Sequence, residues 1–374
     1  MKCVYLDNAA TTFPKPVCVA EAFSRALSEC GGNPGRGSHR MSVRSAEAVY
    51  EAREALAAFF DAPSPDGVIF TLNTTYALNV AIKASVKRGD HVLISSMEHN
   101  SVLRPVRALA DRGVISFDVF DAFADDPVAA LSAKLRRNTA LVVCAHASNI
   151  CGTVLPIAKI GALLRRRGVR FVVDAAQSAG KYPISVRDGM IDALCVPGHK
   201  GLYGPMGVGA IIAGEGFSGA TLVEGGGGIN SLDAHMPDFM PERFEAGTLP
   251  TPAIAALSAG VGFVRSVGVG SIAAHEDRLC RECASRLAEL PGVTFYSDRG
   301  VILFNIAHVP APRVCEALDG EGVCVRGGFH CSPLAHRALG TGENGAVRAS
   351  FGYFNTRSDA LALCDAVKRL AAGK

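Results

Sequence analysis

Between residues 67 and 213, short apolar runs alternate with longer stretches of helical period, and this alternation limits the possible folds more than any other feature of the chain. VIF at 68–70 precedes TTYALNVAIKASV, and HVLIS at 91–95 precedes SVLRPVRALADR. ALVVCAH at 140–146 precedes PIAKIGALLRRR, and RFVVD at 170–174 is followed by DALCV at 192–196. The pattern predicts an α/β fold, a mainly parallel sheet with helices on both faces. LVVC and FVVD are apolar at every position, as strands buried on both faces must be.

In such sheets ligands sit outside the carboxyl ends of the strands. Thr74, Thr75, Glu98, His99, Asn149, Asp174, Gln177, His199 and Lys200 all fall at or soon after those ends. Beyond residue 213 a glycine-rich connection, EGGGGINS at 224–231, leads through RFEAGTLPTP at 243–252 to long helical patterns. The short strands VILFNI, VCVR and AVRASF follow. A chain of 374 residues exceeds the usual domain of roughly 100–200. The expected division is a large domain over 15–250, with 1–14 and 251–374 forming a smaller α+β domain.

Several functions are excluded by composition. A net charge of +3, with no basic block interleaved with aromatics, gives no footprint for nucleic acid or an anionic membrane. No apolar run approaches the ~18 residues of a membrane span, and MKCVYLDNAAT lacks the pattern of a signal peptide. The 12 cysteines follow no framework, which points to free thiols in a reducing cytoplasm. Cys280 and Cys283 form a CxxC inside the helical pattern EDRLCRECASRLAEL, with no second pair to complete a zinc site.

Five segments carry candidate chemistry. In PGHKGLYGPMGVGAI, Lys200 follows a buried strand in a glycine-rich loop, where desolvation would leave its amine neutral and able to form a Schiff base. A solvated loop lysine is the plain alternative. In RFVVDAAQSAG, Asp174 ends an all-apolar strand and needs a cation or donors, or else caps the next helix. Thr74 and Thr75 stand where a strand meets a helix, a turn suited to an anion but also to an ordinary cap. His99, past the strand in ISSMEHNSV, can stack on a flat ring and shuttle protons, or simply bond within its loop. In VRGGFHCSPLAHR, Cys331 has His330 beside it and Arg326 five residues earlier, and nearby cations raise a thiolate fraction.

Taken in order, YLDNAATTFPKP, MEHN, HASNICGT, VDAAQSAG, GHKGLYGP, RFEAGT, RGGFHCSPLAHR and VRASFGYFNT resemble the class V aminotransferase-fold enzymes that use pyridoxal phosphate (PLP), specifically their cysteine desulfurase branch. The resemblance spans nearly the whole chain and implies a fold-type I transferase with a seven-stranded-type sheet. It implies that Lys200 carries PLP as a Schiff base and then takes the substrate α-proton. Asp174 would pair with the pyridine nitrogen, Gln177 with the phenolic oxygen, and His99 would stack on the ring. Thr74, Thr75 and His199 would hold the phosphate, with Thr248 reaching over from the partner subunit of a homodimer. Asn149 and Arg348 would bind the substrate carboxylate, with Arg326 nearby. Cys331 would take sulfur from L-cysteine as a persulfide, releasing alanine, and pass it to an acceptor protein.

The cysteine loop is short, as in the branch where it is ordered. Pro197 stands where the family often has Ser or Thr, and it offers the phosphate neither hydroxyl nor N–H. Other readings remain open on the same scaffold: a selenocysteine lyase, another PLP β-lyase or an aminotransferase. From a different class, a non-catalytic sulfur or metal carrier would leave Lys200 and Asp174 without a task.

Overall fold

Six of the seven strands of the central sheet lie where burial on both faces demands an apolar run. The computed structural model describes residues 3–35 and 37–372. A short strand β1 (Val4–Tyr5) and helices α1 (Val17–Glu29) and α2 (Arg40–Phe60) lead into the sheet. There follow β2 (Val68–Thr71), α3 (Thr74–Ser85), β3 (Asp90–Ser95), α4 (Asn100–Asp111), β4 (Ile115–Phe120) and α5 (Pro127–Lys134). Next come β5 (Thr139–Ala145), α6 (Ile157–Arg167), β6 (Arg170–Asp174), β7 (Ala193–Pro197) and β8 (Gly209–Ala213).

The strand order is β2-β8-β7-β6-β5-β3-β4. Pairing is parallel from β4 through β3, β5 and β6 to β7, while β8 runs antiparallel to both β7 and β2. Along β5, β6 and β7 the side chains alternate between two cores. Val142, Phe171 and Leu194 face one, and Val143, Val172 and Cys195 the other. The edge strand β4 buries only its end residues, Ile115 and Phe120, so its sequence carries no such run. From β3 the chain steps to β4 at one edge, and from β5 it steps through β6 to β7 the other way. The crossovers therefore diverge between β3 and β5, the crevice where such sheets hold ligands.

The rest of the chain comprises α7 (Thr251–Val267), α8 (Val269–Ala288), β9 (Val293–Ser297), β10 (Ile302–Ile306), α9 (Ala311–Gly320), β11 (Val323–Cys324) and β12 (Arg326–Gly328), then α10 (Pro333–Leu339), β13 (Ala346–Ala349) and α11 (Arg357–Ala371). A four-stranded antiparallel sheet, β12-β13-β10-β9, is backed by its own core of Ile302, Phe304, Val347 and Leu363. The N-terminal β1 pairs with β11, and Val4 and Leu6 belong to that same core. Helix α7 packs Ile254, Leu257 and Val261 into the core of the large sheet.

Cys280 and Cys283 are buried in α8, and the Cys283 sulfur lies 3.3 Å from that of Cys364. Among the described residues no group of His, Cys, Asp or Glu could hold a metal ion, and no single helix is long and apolar enough to cross a membrane.

The glycine-rich connection is tied to the sheet through Glu245. Its carboxylate accepts from Arg53 Nη1 at 2.9 Å and from the Phe70 amide at 2.6 Å, and both charged side chains are more than 90% buried. Arg53 also lies 4.9 Å over the Phe70 ring and bonds the Val68 carbonyl. A carboxylate removed from such a pair leaves a buried, uncompensated cation. Glu245→Ala is therefore expected to destabilise the protein by about 3–5 kcal/mol, read as a lower urea midpoint.

Candidate active site

Two loops meet backbone to backbone beneath the crevice. A Cβ on Gly201 would lie 2.3 Å from the Ala179 carbonyl, and one on Gly180 would lie 2.0 Å from the Gly201 carbonyl. Only glycine permits this approach, and Gly180 also has a φ of 83°. The contact brings the loop after β6, carrying Asp174 and Gln177, against the loop after β7, carrying His199 and Lys200.

A pocket opens there, lined by Thr74, Thr75, His99, Asn149, Asp174, Gln177, His199 and Lys200. Burial pushes the Lys200 amine down to about 8, against the pull of Asp174 and with help from Arg348 and Arg326. Asp174 is buried at the end of β6 and accepts from the Ala176 amide at 2.8 Å. Desolvation raises its pKa, and the Ala176 bond and Lys200 oppose that shift. Gln177 donates to the Ala9 carbonyl at 2.9 Å, which leaves its amide oxygen and second hydrogen to the pocket.

One end of the pocket is built at α3. Asn73 caps that helix, accepting from the Tyr76 amide, so the first free N–H groups face the same space as Thr74 and Thr75. Thr74 Oγ1 and His199 Nδ1 are buried there with no hydrogen-bond partner among the described residues. The His199 carbonyl, in contrast, is held by Thr11, Thr12 and Lys15, the last at 2.7 Å.

His99 caps α4. Its Nδ1 accepts from the Ser101 amide at 3.1 Å and lies 2.8 Å from the Ser101 hydroxyl, which in turn meets Thr75 Oγ1 at 2.7 Å. An amide can only donate, so the ring proton is on Nε2. Burial, reinforced by Lys200 and three arginines, pushes the ring down to about 4 and keeps it neutral at pH 7.

Cys331 lies at the rim, in a second cleft shared with Thr75, His99 and Ser101. It is exposed, and its carbonyl accepts from the Asn100 amide at 2.7 Å, one residue past His99. His330 and Cys331 have φ of 50° and 59°, two consecutive left-handed residues that are not glycine. That conformation costs roughly 1–2 kcal/mol each. The expectation that His330 lends a positive charge to the thiol is corrected here. Burial pushes the His330 ring down to about 3, so it is neutral, and both its nitrogens are engaged.

Asn149 uses both ends of its amide on the same loop, donating to the His330 carbonyl at 2.8 Å and accepting from Ser332 at 2.6 Å. Arg348 is buried behind it. Arg348 bonds the Asn149 carbonyl at 3.0 Å and Asp7 at 2.7 Å, and its Nε has no hydrogen-bond partner among the described residues. Arg326 is opposite Arg348 across β12–β13 but is exposed and outside the pocket. Thr248 is also outside it and exposed, its hydroxyl accepting from Asn33 at 3.2 Å.

Sequence reasoning missed Asp7 and Ser101. Asp7 stands in the quoted YLDNAATT, yet nothing local shows that its partner is 341 residues away.

The fold and this pocket define a fold-type I enzyme scaffold, and the chain belongs to the class-V aminotransferase family, whose model matches residues 4–363. Within the family its relatives are cysteine desulfurases. A Methanothermobacter thermautotrophicus protein described as a probable cysteine desulfurase is 34% identical, over 98% of this chain and 94% of its own. The cysteine desulfurase of Salmonella dublin is 32% identical over 99% and 92%. The apo structure of the cysteine desulfurase from Thermococcus onnurineus superposes with a TM-score of 0.90 at 30% identity, over 100% of this chain and 95% of that one.

A neutral free amine is required for acylation, so in PLP-free protein labelling of Lys200 by an amine-acylating reagent is expected to reach half its maximal rate near pH 8. Asp174 stabilises the ammonium form, and Asp174→Asn should therefore move that midpoint to lower pH. Mass-spectrometric rates at Lys200 across pH check both; a midpoint above pH 10 would contradict the burial of the amine.

Proposed function

We propose that the protein is a PLP-dependent cysteine desulfurase that converts L-cysteine to L-alanine and holds the sulfur as a persulfide on Cys331. The observation that carries this reading is the pocket itself. It combines a buried carboxylate, a lysine with a lowered pKa and two unpartnered polar atoms at a helix N-terminus, and it has a thiol at its rim. Those residues fit the cofactor. Thr74, Thr75, His199 and the first N–H groups of α3 would hold the phosphate, and no hydroxyl at Pro197 is needed. Asp174 would keep the ring nitrogen protonated, Gln177 would donate to the phenolic oxygen, and neutral His99 would cover the ring.

When bound, PLP supplies an electron sink for the substrate α-carbon. The chain's own residues do the rest. Arg348, with Arg326 near the entrance, binds the substrate carboxylate. Asn149 fixes the cysteine loop as well as facing the pocket. Lys200 Nζ takes the α-proton. The Cys331 thiolate attacks the substrate sulfur, and an S–S bond forms as the C–S bond breaks. The carbon is then reprotonated and alanine leaves. The bound sulfur passes to an acceptor protein.

We further propose a homodimer in which Thr248 completes the phosphate site of the partner subunit, since it lies outside its own pocket. The working domains are 15–250 and, together, 1–14 with 251–374, bridged by α7. A reducing cytoplasm is the proposed compartment, in keeping with twelve cysteines that are all free.

Purified protein should be yellow and should release sulfide and alanine in equal amounts from cysteine plus a reductant. Cys331→Ala should lose sulfide release at least a hundredfold while keeping its colour. Cleavage of selenocysteine alone would move the assignment to a selenocysteine lyase, and pyruvate or amino-group transfer to another lyase or an aminotransferase. Thr248→Ala should weaken PLP binding about tenfold, as loss of a hydrogen bond to a charged group worth on the order of 1.5 kcal/mol. A monomer in sedimentation would refute the shared site.

A further inference from the structure

We propose that His336 and Thr341 are positioning residues for Cys331, fixing its loop through a hydrogen-bond relay that runs in one direction from the Thr341 hydroxyl to the Arg326 carbonyl. The inference rests on Cys331 being the sulfur-accepting thiol, but it concerns residues for which that reading has no use.

Three contacts define the relay. Thr341 Oγ1 lies 2.8 Å from His336 Nδ1, and His336 Nε2 lies 3.1 Å from His330 Nδ1. His330 Nε2 in turn lies 3.1 Å from the Arg326 carbonyl. The two rings are 14° from coplanar, and Thr341 is itself anchored where its carbonyl accepts from Asn305.

Direction follows from donor chemistry. A carbonyl only accepts, so His330 Nε2 carries the hydrogen. Both rings are buried and neutral, pushed down by desolvation and by Arg348, so each bears one hydrogen. His330 Nδ1 must then accept, His336 Nε2 must donate to it, and His336 Nδ1 must accept from the Thr341 hydroxyl. Every proton in the chain is thereby assigned.

The relay acts on a segment that resists its own conformation. His330 and Cys331 are both left-handed without being glycine, so the loop relaxes unless its surroundings hold it. Asn149 holds the backbone from the sheet side, and the imidazole pair holds it from α10. Removing the Thr341 hydroxyl leaves His336 Nδ1 buried with no donor, which frees the ring to turn and release His330.

The test uses the full-length holoenzyme. Thr341→Val is expected to lower kcat for sulfur transfer to Cys331 at least tenfold with KM and the cofactor absorbance unchanged, and Thr341→Ser to restore it to within twofold. Hydrogen exchange in the peptide around 327–333 should accelerate at least tenfold in the valine variant, while peptides of α3 and β6 stay as they were. This exchange is independent of turnover: native protein that forms no persulfide but shows the exchange difference would sink the desulfurase reading and leave the relay standing. Unchanged exchange and unchanged transfer in Thr341→Val would overturn the relay, as would a serine variant no better than the valine one. Should the variants not fold, nitrogen NMR of histidine-labelled native protein decides. Both Nδ1 atoms must be unprotonated at pH 7, and a proton on either refutes the assignment.

Discussion

A carboxylate at the end of a strand sealed on both faces is expensive to keep charged, and Asp174 sets this condition on everything around it. It takes one hydrogen bond from Ala176 and draws on Lys200 across the pocket. Glu98 lies close by, fully buried, and burial pushes its carboxyl up to about 8, so near neutrality it adds little repulsion. The neutral neighbour and the poised lysine are both consequences of placing charge where water cannot follow.

Much of this could be read in the linear chain because strands of this class write their burial into their composition. RFVVD is β6 residue for residue, and the polar residues after β3, β5, β6 and β7 gather at one end of the sheet, as the alternation implied. The edge strand β4 was silent because one side of it meets solvent. Helix α7 shows another limit: it follows the glycine-rich connection, yet its apolar stripe packs on the first core. Sequence order alone does not decide which of two cores an amphipathic helix joins.

The residues that escaped notice share a property. Asp7, Ser101, His336 and Thr341 work through partners fixed only by the tertiary fold, and their local sequence looks ordinary. His330 misled for a related reason. Adjacency to a thiol suggested a charge, but the ring turns inward, where desolvation keeps it neutral. Asn149 is a subtler case, since it faces the pocket while both ends of its amide are already spent on the cysteine loop.

One further consequence comes from the bond between the Asn100 amide and the Cys331 carbonyl. It welds the turn carrying the Cys331 thiol to the start of a helix, so this thiol has no swinging arm. On the proposed reading, a protein collecting sulfur from Cys331 would have to contribute the travel itself, on a pliant segment long enough to reach down to a stationary donor and withdraw again.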